Sequence, residues 1–510
     1  MRWCVRRAFH RSDVLGLKKQ KACQTAVSKE TAVLLFSSFS VMRPQAGRQG
    51  RRARLHLTPP VFFDTLTHAE KSGKSGLLPF PAQPVRPADG SKGVPEMSLD
   101  VIVNEREWRK EHRPGLWLLV SAAVIYAASL FLYRYEMQFA LTDLAVHTGI
   151  AADFDFTDLH SITSRLAYPL WHLMTSCVYQ LGLPIEWAAP VICSLCKTLT
   201  FLLTQRVLVG LCQGKVKENA LTLAAVLVNV VTAVCIPGVN DRVYRGIGSP
   251  NVWHNPTQQA VLVSALMVLP LLCRCWYEFE RRYPKEGEKT MLPWGEVVLL
   301  AVFLMGSLAC KPTFMQALLP AAFVMFLAEL CRRPRCWRYF GQIVLAFLPA
   351  VAYFLLQYLY YTGVVVEFTS GVEFGVTLES FLSMLRSTVM MSLFPLYAVF
   401  CCYKKGMFKD RMLVLALLMV FFSLLEGMAF RETGLREGHG NFTWAANSSS
   451  FILWVTMTGI FLREFVSGLK AKTLSAGRKA AYAVGFALAG WHLASGVYYL
   501  YFLLNTGNAF

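Results

Sequence analysis

From about residue 115 onward, long apolar stretches alternate with short polar gaps. An apolar run of about 20 residues is long enough to cross a bilayer as a helix. Eleven such runs are predicted, at 115–133, 186–212, 219–238, 257–273, 293–310, 313–331, 339–362, 382–402, 412–428, 448–466 and 480–504. The gaps between them alternate in chemistry. One is rich in Lys and Arg, the next in Asp, Glu, His and Asn. Short cytoplasmic loops carry the Lys/Arg excess, so the alternation predicts an N-terminus inside and a C-terminus outside. Arg106, Arg109, Lys110 and Arg113 precede the first run, and later basic gaps hold Lys215, Arg281, Arg333, Lys404 and Arg478.

One stretch decides the topology. Residues 166–183 (LAYPLWHLMTSCVYQLGL) are apolar enough to span. Counting them as a twelfth span puts every later basic cluster outside, against the charge rule. They are therefore predicted to form an amphipathic or re-entrant helix on the outer surface. The expected fold is all-α, a polytopic membrane helical bundle of about eleven transmembrane helices with an outer surface helix.

Composition agrees with this and narrows it. Of the 510 residues 55% are hydrophobic and 16% charged, a membrane composition. The net charge of +19 does not point to nucleic acid. Residues 1–96 hold 17 Lys/Arg and 6 Asp/Glu, or +11, and the other 414 residues carry the remaining +8, mostly in inside gaps. That distribution fits topology and anionic lipid headgroups. The 14 cysteines are mostly isolated within apolar runs, without zinc-ligand spacing.

Residues 1–96 differ from the rest. They contain Arg51, Arg52 and Arg54, a Pro/Gly/Ser/Lys stretch at 72–93 and no sustained periodicity, so they are read as a basic disordered extension. Met97 opens a conventional start, which allows the segment to be non-native upstream sequence. The membrane domain is assigned to 97–510.

The chemically capable residues fall in the outer gaps. The longest, 134–165, carries Asp143 and His147 four apart, one helical turn, with apolar neighbours Leu141, Leu144 and Ile150 that suggest a packed helix. Asp153, Asp155 and Asp158 follow, and they read equally well as solvated loop acids or as ligands of a divalent cation such as Mg or Mn. A carboxylate at the membrane edge can act as a general base toward a hydroxyl. The gap 239–259 holds Arg242 and Arg245, suited to phosphate oxygens, then Trp253, His254 and Asn255–Pro256, the last two also a helix cap. Lys311 sits between two runs, where it either snorkels to headgroups or neutralises a phosphate. The last outer gap packs Arg431, Glu432, Arg436, Glu437, His439, Asn441 and Trp444 among glycines. Polar groups with a stacking ring suit a sugar or phosphate head, although a loop of balanced ion pairs has the same composition.

The arrangement resembles the GT-C superfamily of integral-membrane glycosyltransferases. The likeness covers roughly residues 100–504 as architecture: a first span, a long first outer loop with an acid (Asp143, then His147), a surface helix with Tyr168–Pro169–Leu170, basic residues in later outer loops (Arg242, Arg245, Lys311, Arg431, Arg436), and ten or more spans. Two features depart from the commoner members. The loop acid lacks an adjacent acidic partner, and no large soluble C-terminal domain follows. The Lys/Arg-rich loops have a bacterial cast, which places the chain in a cytoplasmic (plasma) membrane of the cell envelope.

The resemblance implies sugar transfer from a polyprenyl-phosphate-linked donor to a glycan, lipid or protein acceptor on the extracytoplasmic face. Asp143, with His147, would be catalytic. Arg242, Arg245, Lys311, Arg431 and Arg436 would hold the donor phosphate, and His254, Asn255, Glu437, His439, Asn441 and Trp444 would line the substrate site. A metal-assisted variant adds Asp153 or Asp155 to Asp143. Two other classes compete: a surface-polysaccharide polymerase or flippase, and a multi-span transporter. A flippase should place polar residues inside spans; Lys197 and Glu296 do lie in apolar runs, but close enough to the inside to snorkel.

Overall fold

The computed structural model describes residues 115–139, 142–158, 167–240, 248–359, 371–404, 407–433 and 440–506. All lie in the second of two units into which the chain divides, Gln83–Phe510. The expectations for residues 1–96 fall outside the described residues.

The described chain is an all-α bundle. Its helices are α1 (Leu116–Glu136), α2 (Asp143–Ala152), α3 (Leu170–Gln180), α4 (Ile185–Cys212), α5 (Glu218–Val228), α6 (Pro256–Glu286) and α7 (Trp294–Cys310). They continue as α8 (Thr313–Arg332), α9 (Trp337–Leu359), α10 (Leu378–Cys401), α11 (Arg411–Ala429), α12 (Trp444–Lys470) and α13 (Ala476–Thr506). Strands β1 (Val372–Phe374) and β2 (Phe430–Glu432) form an antiparallel pair with Glu373 opposite Arg431.

Among the described residues nine helices are long and apolar enough to cross a membrane, which makes this a multi-pass integral membrane protein. Their outward faces are apolar. Leu116, Trp117, Val124 and Phe131 of α1 are all more than half exposed, which in water would be an unmanageable patch and in lipid is a solvated surface. The centre is α12. Every residue from Trp444 to Phe461 is buried, so this helix is surrounded by protein rather than lipid. Small residues bring its neighbours close: a Cβ on Gly459 would lie 2.8 Å from the Leu211 side chain of α4, and Cys212 Sγ reaches the Gly459 carbonyl at 3.3 Å.

Eleven crossings were expected, and two differ from the expectation. The run 293–310 becomes the 17-residue α7, about 25 Å long. The run 219–238 is not one helix. α5 stops after 11 residues at Val228, and the chain continues as irregular backbone. The reason is close backbone packing. Gly496 of α13 has no side chain, and the Val230 carbonyl occupies the place a Cβ would take. Irregular backbone at mid-height of a bundle requires protein partners for its polar groups, and it has them. Ser495 Oγ accepts from Cys235 N at 2.9 Å, the Thr232 carbonyl lies 2.6 Å from His492 Nδ1, and Val234 N donates to the Met390 carbonyl at 3.0 Å. Asn251 Nδ2 donates to both Val228 O and Val231 O at 2.8 Å.

The stretch 166–183 yields α3, only 11 residues and about 16 Å long, half of what a crossing needs. Trp171, His172, Thr175 and Ser176 are buried, so α3 packs inward against α4 and α2 rather than lying loosely on a surface. The opposite end of the bundle is basic and internally paired: Arg411 meets Glu280 at 2.7 Å, Arg281 meets Glu278 at 2.7 Å, and Arg274 meets Glu296 at 3.0 Å.

Candidate functional site

Four helix termini converge at one end of the bundle. α2 begins at Asp143, capped by Thr142, whose hydroxyl accepts from Ala145 N at 3.2 Å. α6 begins at Pro256, and its N-cap Asn255 accepts from Gln258 N at 2.9 Å. Lys311 is the extended residue between α7 and α8, and Trp444 opens α12. Ser, Thr, Asp and Asn satisfy the free N–H groups of a first turn, so α2 and α6 start for ordinary local reasons, whereas α8 and α12 begin without a side-chain cap; a side chain of special chemistry sits beside each start.

Asn255 joins them. Its Oδ1 receives the Gln258 N–H, the Thr257 hydroxyl at 2.9 Å and Lys311 Nζ at 3.3 Å, and its Nδ2 donates to Asp143 Oδ2 at 2.8 Å. Two positive or N–H donors on one side and a carboxylate on the other fix the amide orientation. Lys311 Nζ also lies 3.9 Å from the centre of the Trp444 ring, a cation–π contact. His254 Nε2 is 3.8 Å from Asp143 Oδ2, and His254 Nδ1 is 3.2 Å from the Tyr499 hydroxyl. Beneath this, Gln258 Nε2 donates to Ser448 Oγ at 2.7 Å, and the Thr313 hydroxyl donates to Gln258 Oε1 at 3.1 Å. These bonds tie α6, α8 and α12 together.

Exposure is uneven across the cluster. Lys311 is 5% exposed and His254 0%, whereas the Asp143 side chain is 32% exposed. The carboxylate is the open side, and the groups that orient it are sealed behind it. Burial pulls Lys311 down to about 8, with Asp143 opposing the shift. Burial also pulls His254 down to about 4, reinforced by Lys311 and opposed by Asp143. The same balance brings His147 down to about 4. Around neutral pH the cluster is one ammonium flanked by neutral imidazoles.

The expected site residues divide into four groups, of which the last is Asp153 and Asp155. Asp143, His147, His254, Asn255, Lys311 and Trp444 come together here. Arg242, Arg245, Arg436, Glu437 and His439 lie outside the described residues. Arg431 and Asn441 are engaged elsewhere. The Arg431 guanidinium grips Glu373 across the strand pair at 3.0 and 3.2 Å, and Asn441 Nδ2 donates to both Glu432 oxygens at 2.8 and 2.9 Å. The ion pairing that explains Arg431 without a ligand is the arrangement found.

Asp153 and Asp155 stand at the far end of α2 from Asp143, about 15 Å away along the axis. One ion cannot be bound directly by both ends. Asp155 Oδ1 instead accepts from Thr157 N at 2.8 Å and from the Thr157 hydroxyl at 2.7 Å, a local turn that holds its carboxyl below the usual range. No group of three His, Cys, Asp or Glu suited to a metal occurs among the described residues.

Several partners were not anticipated. His172 hydrogen-bonds His147, their Nε2 and Nδ1 atoms 2.9 Å apart. Glu136 is wholly buried at the end of α1, and neither carboxylate oxygen has a hydrogen-bond partner among the described residues. Lys197 does not snorkel. It is 0% exposed, donates to Asn251 Oδ1 at 2.8 Å and lies 4.1 Å from the Trp253 ring centre. The only hint in the sequence was a lone lysine in an apolar run. Glu296 is partnered by Arg274. No protein-family model matches the chain, and no curated protein matches it.

Proposed function

We propose that this protein is a membrane glycosyltransferase of the GT-C type, moving a sugar from a polyprenyl-phosphate donor to a hydroxyl acceptor. One observation carries the reading: a partly open carboxylate, Asp143, oriented by Asn255 with the buried Lys311 ammonium directly behind. The basic gaps at the opposite end orient the cluster toward the outside by the charge rule. The N-terminus of the membrane domain is then inside and its C-terminus outside.

In this reading Asp143 takes the proton of the acceptor hydroxyl. The acceptor oxygen forms its bond to the anomeric carbon as the bond from that carbon to the phosphate oxygen breaks, and the lipid phosphate leaves with its electron pair. Lys311 supplies positive charge where negative charge passes from carboxylate to leaving group. Trp444, buried beneath Lys311, holds that ammonium against its ring face. Asn255 holds the carboxylate so that one oxygen stays available.

The broken crossing of α5 favours a second reading, because transporters build sites from interrupted helices. Here, however, the irregular segment is filled by its own hydrogen bonds to α10 and α13. Membranes containing the protein and a panel of radiolabelled polyprenyl-phosphate sugars separate the two. Transfer to an acceptor that is lost by at least about 100-fold in Asp143→Asn, with unchanged membrane insertion, supports the enzyme. Movement of an unmodified solute by wild type without covalent transfer supports the transporter.

A further inference from the structure

His147 of α2 and His172 of α3 meet with Nδ1 of the first 2.9 Å from Nε2 of the second. Between two neutral imidazoles one nitrogen donates and the other accepts, and the direction depends on what the remaining nitrogens can do. His172 is wholly buried. The Trp171 ring packs on it at right angles, ring centres 5.2 Å apart, and Phe154 at 6.0 Å, and its Nδ1 has no hydrogen-bond partner among the described residues.

Suppose His147 donated from Nδ1. His172 would then carry its proton on Nδ1, a sealed N–H with nothing to receive it. Orphaned buried N–H groups are the rarer and costlier failure, whereas a bare acceptor is tolerated. In the opposite direction His172 donates from Nε2, and only a lone pair is left without a partner. His147 then has its Nδ1 lone pair occupied and its proton on Nε2. Its ring is half-buried rather than sealed, one helical turn from Asp143.

We infer that His172 is a positioning residue that fixes His147 as the Nε2–H tautomer, so that His147 offers a hydrogen-bond donor, not a base, to a phosphate or sugar oxygen bound beside Asp143. This assigns the two members of the Asp143–His147 pair opposite roles: the carboxylate accepts and the imidazole donates. The role of that donor rests on the transferase reading; the tautomer itself does not. Protonated His147 would donate from both nitrogens, but burial and Lys311 keep it neutral above about pH 4.

The test is nitrogen-15 NMR of the full chain, labelled at its ten histidines and held in lipid nanodiscs at pH 7.5. His147→Gln assigns the ring. We expect the wild-type ring to show a protonated Nε2 and a bare Nδ1, and His172→Phe to shift it toward a mixture of tautomers. His172→Gln retains an N–H donor and should restore the wild-type pattern. A protonated Nδ1 on His147 in the wild type overturns the inference, and that spectrum decides even if His172→Phe does not fold. So does an unchanged tautomer in a folded His172→Phe. In transfer assays His172→Phe should lower kcat/KM by about tenfold, the worth of one misdirected hydrogen bond. Absence of transfer by the wild type would remove the reaction and leave the tautomer result standing.

Discussion

Asn255 Nδ2 donates to Asp143 Oδ2 at 2.8 Å, across 112 positions of sequence, while the same side chain caps its own helix. A residue that starts α6 thereby also aims the one open carboxylate of the cluster. The two tasks use different atoms, so substitution can separate them.

Asn255→Asp keeps a good helix cap but turns a carboxylate oxygen toward Asp143 in place of an N–H. Folding should survive, with a loss of transfer of about 10-fold or more. Asn255→Ala loses the cap as well and should lower stability by about 1–2 kcal/mol. Thermal melting beside an activity assay distinguishes the two variants, and equal melting temperatures for both would count against a capping role.

Lys311 has a definite pH signature. Its charge in the folded protein is lost as pH rises through about 8, so the Michaelis constant for an anionic donor should climb above that pH and stay flat below it. Lys311→Met should show the raised value at every pH. Stability moves the other way. The unfolded chain holds this proton up to the ordinary lysine value of 10.5, so it binds more protons than the folded chain between about 8 and 10.5, and the Lys311 contribution to stability rises with pH across that window. Below it the penalty for burying the ammonium is present in full. Melting curves of wild type and Lys311→Met should converge as pH rises; parallel curves would show that Lys311 is not buried as a cation.

Lys197 and Asn251 should respond asymmetrically. Lys197→Met replaces a buried ammonium by an apolar chain of similar length and should be nearly neutral or mildly stabilising. Asn251→Leu leaves that ammonium without its hydrogen-bond acceptor and frees the Val228 and Val231 carbonyls, and should cost about 3 kcal/mol or more. The double variant should recover part of the loss. Denaturation in detergent micelles measures all three.

Gly496→Ala should destabilise the bundle by about 1–3 kcal/mol, because its Cβ would run into the Val230 carbonyl and no flexible side chain is there to yield. Gly490→Ala on the same helix meets nothing within 4 Å and should be harmless. Equal melting temperatures for the two would show that the backbone of the broken crossing does not rest on α13.

The sequence by itself determined which segments leave water. Hydrophobic runs long enough for a bilayer are a local property, and nine of the helices follow from it. The same locality placed Asp143, Lys311, Asn255 and Trp444 at helix ends, since caps and turns are written in a few consecutive residues. Tertiary structure decided the rest. Hydropathy cannot distinguish an apolar helix from apolar irregular backbone whose carbonyls are satisfied by Asn251 and His492 and whose Cys235 N–H is satisfied by Ser495, so the break after Val228 was invisible in the run 219–238. Nor can composition tell a phosphate-binding arginine from one held by a carboxylate 58 positions away, as Arg431 is by Glu373. The roles of Lys197 and His172 were not legible because their partners, Asn251 and His147, lie 54 and 25 positions away. Burial and pairing are long-range facts, and in this protein they turn a scatter of polar residues into one oriented carboxylate backed by a sealed ammonium.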